Sequence, residues 1–116
     1  MSIRVKRAYD KPAANDGYRV LVDRIWPRGV SKVELKLDDW LKEIAPGREL
    51  REWFNHEPDK WDEFRARYRR ELDDKPELVA GLADKAAKGV LTLVFGARDR
   101  DHNNAVALRE YLKKRL

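Results

Sequence analysis

The sequence predicts an α/β fold, with residues 1–116 forming a single domain around a small, mostly parallel sheet of about four strands flanked by helices. Two apolar runs, at residues 20–22 and 90–95, have the composition of strands buried on both faces, as is typical of parallel sheets. Segments with the apolar spacing of helices alternate with the predicted strands. The chain has 116 residues, of which 42% are hydrophobic, enough for one domain with a core.

The remaining strands are predicted from alternation of apolar and polar side chains. Residues 2–8 alternate in this way, which indicates a strand with one solvent-exposed face. The turn-forming segment 9–17 is short for a parallel crossover, and this favours an antiparallel arrangement of the first two strands. Residues 39–45 predict a third strand, although a short helix would also fit. The two buried runs are expected to lie in one sheet and to point the same way.

Helices are predicted from capping residues and apolar spacing. Ser31 and Glu34 form a capping-box pattern, which predicts a short helix at about 32–37. Gly89 suits the left-handed residue that follows a helix end. Four further helices are predicted at 48–55, from Pro58 onward, from Pro76 to Gly89, and at about 102–115. The spacing assigns the core to Trp40, Trp53, Trp61, Phe64, Tyr68 and Leu72.

The net charge of +5 is unevenly distributed. Residues 1–32 carry eight Lys or Arg and three Asp, whereas residues 33–116 carry 18 Lys or Arg and 18 Asp or Glu. This excess favours an anionic partner near the amino-terminal part, although an ordinary mixed-charge surface explains it equally well. The chain has no cysteine, which excludes thiol chemistry and disulfides and fits a reducing compartment. Because no signal or membrane-spanning run is found, we expect a cytoplasmic protein without a membrane partner.

Polar clusters follow both buried runs. The first comprises Asp23, Arg24, Trp26 and Arg28, and the second comprises Arg98, Asp99, Arg100, Asp101, His102 and Asn103. If the two strands are parallel, both clusters lie at the carboxyl edge of the sheet, where open α/β sheets bind ligands. A helix that begins at the second cluster adds unpaired N–H donors and partial positive charge. The sequence therefore predicts an anion site at this edge.

Roles within this site follow from side-chain chemistry. The arginines are expected to hold the anion by bidentate hydrogen bonds, in a pocket that Arg24 or Arg28 forms together with Arg98 or His102. Ligand contacts are also predicted for Trp26, as a stacking platform, and for Asn103. His102 is the candidate for acid–base work, with Asp23 or Asp99 orienting it.

Structural explanations compete with these roles. Asp101 is better explained as the N-cap of the last helix. A structural ion pair with Arg24 or Arg98 at the strand end would explain an aspartate at position 23 as well as a functional role does. Trp26 fits a core anchor somewhat better than a stacking platform, and His56 fits a turn between helices. The only two histidines, His56 and His102, lack ligand spacing, so no metal site is predicted. No glycine-rich phosphate loop is present, and no cofactor is predicted.

Two motifs resemble those of a known family. Val22–Gly29 reads VDRIWPRG and Ala97–Ala105 reads ARDRDHNNA. These stretches resemble the two strongest motifs of the domain-of-unknown-function 488 family, in its YeaO-like branch, and the resemblance covers nearly the whole chain. It implies a compact α/β fold and no particular reaction. Longer relatives carry a cysteine near the second motif, whereas this chain has Gly96 and Asn103–Asn104 in that region, so thiol chemistry does not transfer.

The predicted function is binding of a small anionic ligand, phosphate- or nucleotide-like, at the carboxyl edge of the sheet. Whether the protein is also an enzyme stays open. The alternative is a nucleic-acid-binding or transcription-regulatory module that uses the basic amino-terminal third. A small ligand needs a concave pocket, whereas a nucleic acid needs a broad basic face.

Overall fold

The computed structural model describes residues 2–116 and contains a four-stranded sheet in which every neighbouring pair is parallel. The spatial order of the strands is β1-β4-β2-β3. Their bounds are Ser2–Arg7 for β1, Tyr18–Leu21 for β2, Asp39–Trp40 for β3 and Val90–Phe95 for β4. Val20 pairs with Leu93 and Leu21 with Val94, which confirms that the two buried runs share one sheet and one direction.

The antiparallel arrangement expected for the first two strands is wrong. β1 and β2 are not neighbours, because β4 lies between them and pairs with both in parallel. The connection from Ala8 to Gly17 contains one short 3₁₀ helix at Ala14–Asp16. Ten residues can span at most about 33–36 Å when fully extended, which exceeds the roughly 20 Å length of a six-residue strand and leaves length for the 3₁₀ helix. A short segment can therefore make this return without a full crossover helix.

Five α-helices surround the sheet: α1 (Lys32–Leu35), α2 (Arg48–Phe54), α3 (Trp61–Asp73), α4 (Pro76–Lys88) and α5 (Asn104–Lys113). The capping box that starts α1 is confirmed, since Glu34 N–H donates to Ser31 Oγ at 3.1 Å and Ser31 N–H donates to Glu34 Oε1 at 3.0 Å. A 3₁₀ turn at Pro58–Lys60 precedes α3. These elements confirm the α/β prediction.

Three predicted element ends need correction. The strand predicted at 39–45 stops at Trp40, and Lys42–Ile44 form a 3₁₀ helix instead, because β2 ends at Leu21 and offers no further partner. Gly89 is extended, with φ of 169°, because β4 starts at the next residue.

The last helix begins later than predicted, and its N-cap is Asn103 rather than Asp101. Asn103 Oδ1 accepts the N–H of Val106 at 3.0 Å. Asp101 instead lies in a turn, where its own N–H donates to Asp99 Oδ1. That turn holds the backbone at residues 101 and 102 out of the helix.

Hydrophobic cores lie on both faces of the sheet. Val20, Leu91 and Leu93 face the main core, into which α2–α5 pack. Leu21 and Val94 face a second, smaller cluster that includes Leu35. β2 and β4 are thus buried on both faces, as their composition predicted. Trp40, Trp53 and Trp61, which were assigned to the core, are only half-buried and pack against its margins.

Several charges of the amino-terminal third are tied into the fold. Arg19 and Asp16 are each only 4% exposed, and Arg19 Nη1 lies 2.7 Å from Asp16 Oδ2. Lys6 Nζ lies 3.1 Å from the same oxygen. Arg19 also donates to the carbonyl oxygen of Leu35 at 2.8 Å. This network fixes the connection between β1 and β2 against the end of α1. Within residues 2–116, no helix is long and apolar enough to cross a membrane.

Candidate functional site

A pocket of about 290 Å³ opens beyond the carboxyl ends of β2 and β4. Its polar lining comes from four places in the chain and comprises Asp23, Arg24, Arg51, His56, Asn103 and Asn104. Phe54 and Phe64, whose rings stack with centroids 4.4 Å apart, contribute apolar lining. The volume is at the lower end of the range of about 300–1,000 Å³ that small-molecule sites occupy. The pocket therefore suits a small organic ligand.

Two hydrogen bonds hold the Asp23 carboxylate in the pocket lining. Its Oδ2 accepts the N–H of Gly96 at 2.8 Å, and its Oδ1 accepts Asn104 Nδ2 at 3.0 Å. A Cβ atom at position 96 would stand 3.2 Å from Oδ2, so glycine permits this close approach. Burial raises the pKa of the Asp23 carboxyl, and the hydrogen bonds from Asn104 and Gly96 offset only part of that increase.

Three basic side chains share the pocket with this carboxyl. Arg51 is exposed in the middle of α2 and forms no side-chain hydrogen bond or ion pair with any other residue of the range 2–116. Arg24 has only a loose contact, with its Nη1 at 3.9 Å from Glu43 Oε2. The exposed ring of His56 completes the set. Two guanidinium groups are thus available for a ligand.

The backbone that carries His56 is unusual. Asn55 and His56 both have positive φ, at 46° and 55°, directly after α2. Left-handed backbone costs roughly 1–2 kcal/mol for a residue with a side chain, and such residues concentrate at functional sites. The expected turn at His56 is confirmed, and it brings the ring to the pocket.

The predicted acid–base pair exists, but it does not line the pocket. Asp99 Oδ2 lies 2.9 Å from His102 Nδ1, and Asp99 Oδ1 accepts the N–H groups of Asp101 and His102. The hydrogen bond from the Asp101 N–H is the main reason why the pKa of Asp99 lies below its usual value. The His102 ring contacts Trp61 edge-on, with centroids 5.3 Å apart.

The eight predicted site residues therefore divide into two sets. The structure brings Asp23, Arg24 and Asn103 together around the pocket. Arg28 and Arg98 are exposed and outside its lining, so they do not join Arg24 there. Asp23 forms no ion pair with Arg24 or Arg98 in the described range, and its partners are neutral.

Trp26 belongs to the second hydrophobic cluster. Its ring contacts Trp40 at a centroid distance of 5.3 Å, and its Nε1–H donates to the carbonyl oxygen of Val30 at 2.7 Å. These contacts agree with the core-anchor interpretation.

Sequence reasoning missed Arg51, His56 and Asn104 as lining residues. Arg51 lies in the middle of a short helix, and the packing of that helix against α3, in which the Phe54 and Phe64 rings stack, brings it to the pocket. Asn104 stands next to a residue that was selected, and its side chain also donates to the carbonyl oxygen of Val22 at 3.0 Å. Polar residues at the first helical position after β4 would have been a usable signal.

Comparison with known proteins identifies the family. Residues 2–116 match the family described as the inactive DUF488-N3 subclade. The chain belongs to the DUF488 family. The uncharacterised protein YeaO of Escherichia coli (strain K12) is 44% identical over 113 residues, which cover 97% of this chain and 98% of that protein. Uncharacterised proteins of Mycobacterium tuberculosis and Mycobacterium bovis are each 42% identical over 113 residues, covering 97% of this chain and 95% of theirs. No solved structure matches the chain.

Proposed function

We propose that this DUF488 protein binds a small anionic ligand in the pocket at the carboxyl edge of its sheet. The observation that carries the proposal is the presence of Arg24, Arg51 and His56 in one lining, with Arg51 free of any acidic partner within residues 2–116. Guanidinium groups recognise carboxylates and phosphates through paired hydrogen bonds. The amino terminus of α5 adds partial positive charge at the same edge.

The rest of the lining favours an organic ligand over a bare ion. Phe54, Phe64 and Pro46 supply apolar surface beside the charged groups. Burial of a ligand's carbon skeleton against such surface contributes about 25 cal/mol for each Å² removed from water. A ligand with one anionic group and a short carbon frame satisfies both parts of the pocket.

Binding without turnover is the form of this function that we favour. The family is described as an inactive subclade. His56 has no carboxylate partner among the described residues to orient it, whereas the oriented histidine, His102, does not line the pocket. Because a cysteine-free chain suits a reducing compartment, we also propose that this binding takes place in the cytoplasm.

Nucleic-acid binding by the basic amino-terminal third has weaker support. Arg19 is buried, Lys6 is paired with Asp16, and Arg7 Nε donates to the carbonyl oxygen of Ala97 at 2.8 Å. These charges are engaged within the fold and contribute little to a broad basic face. A steep dependence of affinity on salt concentration with an oligonucleotide would favour this alternative.

Thermal unfolding in phosphate tests the proposal, with chloride at matched ionic strength as the reference. A ligand at about 100 times its Kd stabilises the native state by about 2.7 kcal/mol, so phosphate is expected to raise the Tm of the native protein. Arg51→Ala is expected to remove most of that increase. Arg70→Ala, which removes an exposed arginine on α3 outside the pocket, is the matched control and is expected to keep it.

Arg28→Ala separates this proposal from the site predicted from sequence, which included Arg28. The structure-based lining predicts no effect of Arg28→Ala on the response to phosphate. Equal increases in Tm for the native protein, Arg51→Ala and Arg70→Ala would indicate the general stabilising action of phosphate on proteins and would refute the proposed site.

A further inference from the structure

The pocket lining contains a carboxylate, Asp23, and basic side chains that form no ion pair with it within residues 2–116. Arg51, which carries a positive charge, and the His56 ring share this lining with the Asp23 carboxyl, yet neither side chain forms an ion pair with it in the described part of the chain. Asp23 is bonded instead to the neutral donors Gly96 N–H and Asn104 Nδ2. Arg51 and His56 are exposed, whereas Asp23 is half-buried. The pocket therefore has a half-buried acceptor, Asp23, and a guanidinium group and an imidazole ring that are more exposed to solvent.

The inner acceptor has unused capacity. An ionised carboxylate offers about four acceptor positions on its two oxygens. Gly96 and Asn104 occupy one position on each oxygen. The other positions remain for a group that enters the pocket, and that group must be a hydrogen-bond donor. An anion that came close to this carboxylate with no donor between them would instead be repelled.

The Asp23 acceptor and the guanidinium groups together suit a ligand that has a hydrogen-bond donor at one end and an anionic group at the other. Building on the proposed function, we propose that the pocket selects a small hydroxylated acid, whose hydroxyl group donates to Asp23 while Arg51 and Arg24 hold its phosphate or carboxylate group. The volume of about 290 Å³, just below the range of about 300–1,000 Å³ for drug-sized ligands, favours a compact frame between these ends. Phe54 and Phe64 contact that frame.

The fixed position of Asp23 makes this recognition selective. The Asp23 carboxylate is bonded on both oxygens, so its acceptor positions point in defined directions. A site built to bond a hydroxyl group discriminates against an analogue without it, because the remaining acceptor positions of Asp23 then receive no hydrogen bond from the ligand. The inference therefore predicts that, of two ligands with the same charged group, the one that carries a hydroxyl group binds more tightly.

Isothermal titration calorimetry with two matched pairs of probes tests this inference. The pairs are sn-glycerol 3-phosphate against n-propyl phosphate, and glycerate against propionate, at constant pH and ionic strength. Within each pair the charged group and the carbon count are the same, and the hydroxyl groups differ. We expect the hydroxylated member of at least one pair to bind about tenfold more tightly, which corresponds to about 1.4 kcal/mol.

Two variants show which residue causes the difference in affinity within a pair. Asp23→Asn removes the charge of the acceptor and is expected to bring the affinity ratio within the pair close to one. Arg51→Ala is expected to weaken both members of the pair alike and to leave the ratio unchanged. A ratio that survives in folded Asp23→Asn overturns the inference, since another group would then recognise the hydroxyl.

A measurement on the native protein covers the case in which Asp23→Asn does not fold. The Gly96 amide donates to Asp23 Oδ2, so its proton and nitrogen chemical shifts report on that carboxylate. We expect sn-glycerol 3-phosphate to move this amide resonance and n-propyl phosphate to leave it nearly unchanged. Equal movement by both probes overturns the inference.

The outcomes separate the inference from the proposed function. Equal affinities within both pairs, together with weakening by Arg51→Ala, overturn the hydroxyl selectivity and leave anion binding in place. Failure of all four probes to bind overturns both.

Discussion

Replacing Asp16 by asparagine is expected to destabilise the protein by about 3–5 kcal/mol, the cost of breaking a buried ion pair by removing one partner. The Asp16 carboxylate accepts the N–H of Ala13 at 3.0 Å and contacts Lys6 Nζ and Arg19 Nη1. Asparagine keeps the shape but leaves the buried Arg19 guanidinium without its counter-charge. The loss is large for a chain of 116 residues, whose expected stability is about 6–17 kcal/mol.

Urea unfolding followed by tryptophan fluorescence measures this effect. Glu52→Gln is the matched control, because Glu52 and Arg48 also form an ion pair at 2.7 Å but both side chains are exposed. Exposed pairs contribute about 0.2–1 kcal/mol. If Asp16→Asn costs no more than Glu52→Gln, the network between β1 and β2 does not stabilise the fold as argued.

The same carboxylate gives an expected pH dependence. Burial alone would raise the pKa of Asp16, but hydrogen bonds from the Ala13 N–H, Lys6 and Arg19 together hold it below the usual value of 3.8. A group whose folded pKa is lowered contributes stability that is present above its unfolded pKa and is lost as the pH falls through its folded pKa. Asp16→Asn should therefore make the fall in stability below about pH 4 shallower.

Three further substitutions test the packing near the sheet and in α3 and α4 by the same urea assay. Gly17→Ala should cost about 3 kcal/mol or more, because φ is 67° and the new Cβ would stand 2.3 Å from the carbonyl oxygen of Val90. In contrast, Gly81→Ala in α4 meets no atom within 4 Å and should stabilise the protein by about 0.5–1 kcal/mol. Trp61→Ala should cost about 2–3 kcal/mol, less than a fully buried aromatic, since the half-buried ring packs on Phe64. A change below about 1 kcal/mol would show that Trp61 lies outside the core.

The sequence predicts those helices and strands that are determined by residues close together in the chain. The apolar composition of β2 and β4 indicates burial on both faces, and Ser31 with Glu34 marks the start of α1. Strand order depends instead on which distant segment inserts between two others, and no local pattern shows that β4 separates β1 from β2. The strand predicted at 39–45 fails for the same reason, because its length is set by the end of β2.

Some residues of the candidate site could likewise be predicted from the sequence, whereas others depend on tertiary packing. Asp23 and Asn103 were found because they directly follow the ends of buried strands or begin a helix. Arg51 was missed because its place in the pocket depends on how α2 packs, which is a tertiary property. Arg28 and Arg98 lie outside the lining because neighbouring residues of a loop point in different directions. A cluster in sequence is therefore not a cluster in space.

The energetics of Asp23 distinguish it from a structural carboxylate such as Asp16. Its folded pKa is raised, mainly by burial, so the native state holds this proton more tightly than the unfolded chain does. Stability therefore falls as the pH rises from the unfolded pKa to the folded pKa, and it stays lower at higher pH. While ionised, Asp23 weakens the fold, whereas Asp16 strengthens it. Its two neutral hydrogen bonds join the end of β2 to Gly96 and to α5 but do not compensate fully for burial. A ligand that donates a hydrogen bond to the Asp23 carboxylate would offset the remaining cost of its burial. Binding of that ligand and ionisation of Asp23 should therefore favour each other.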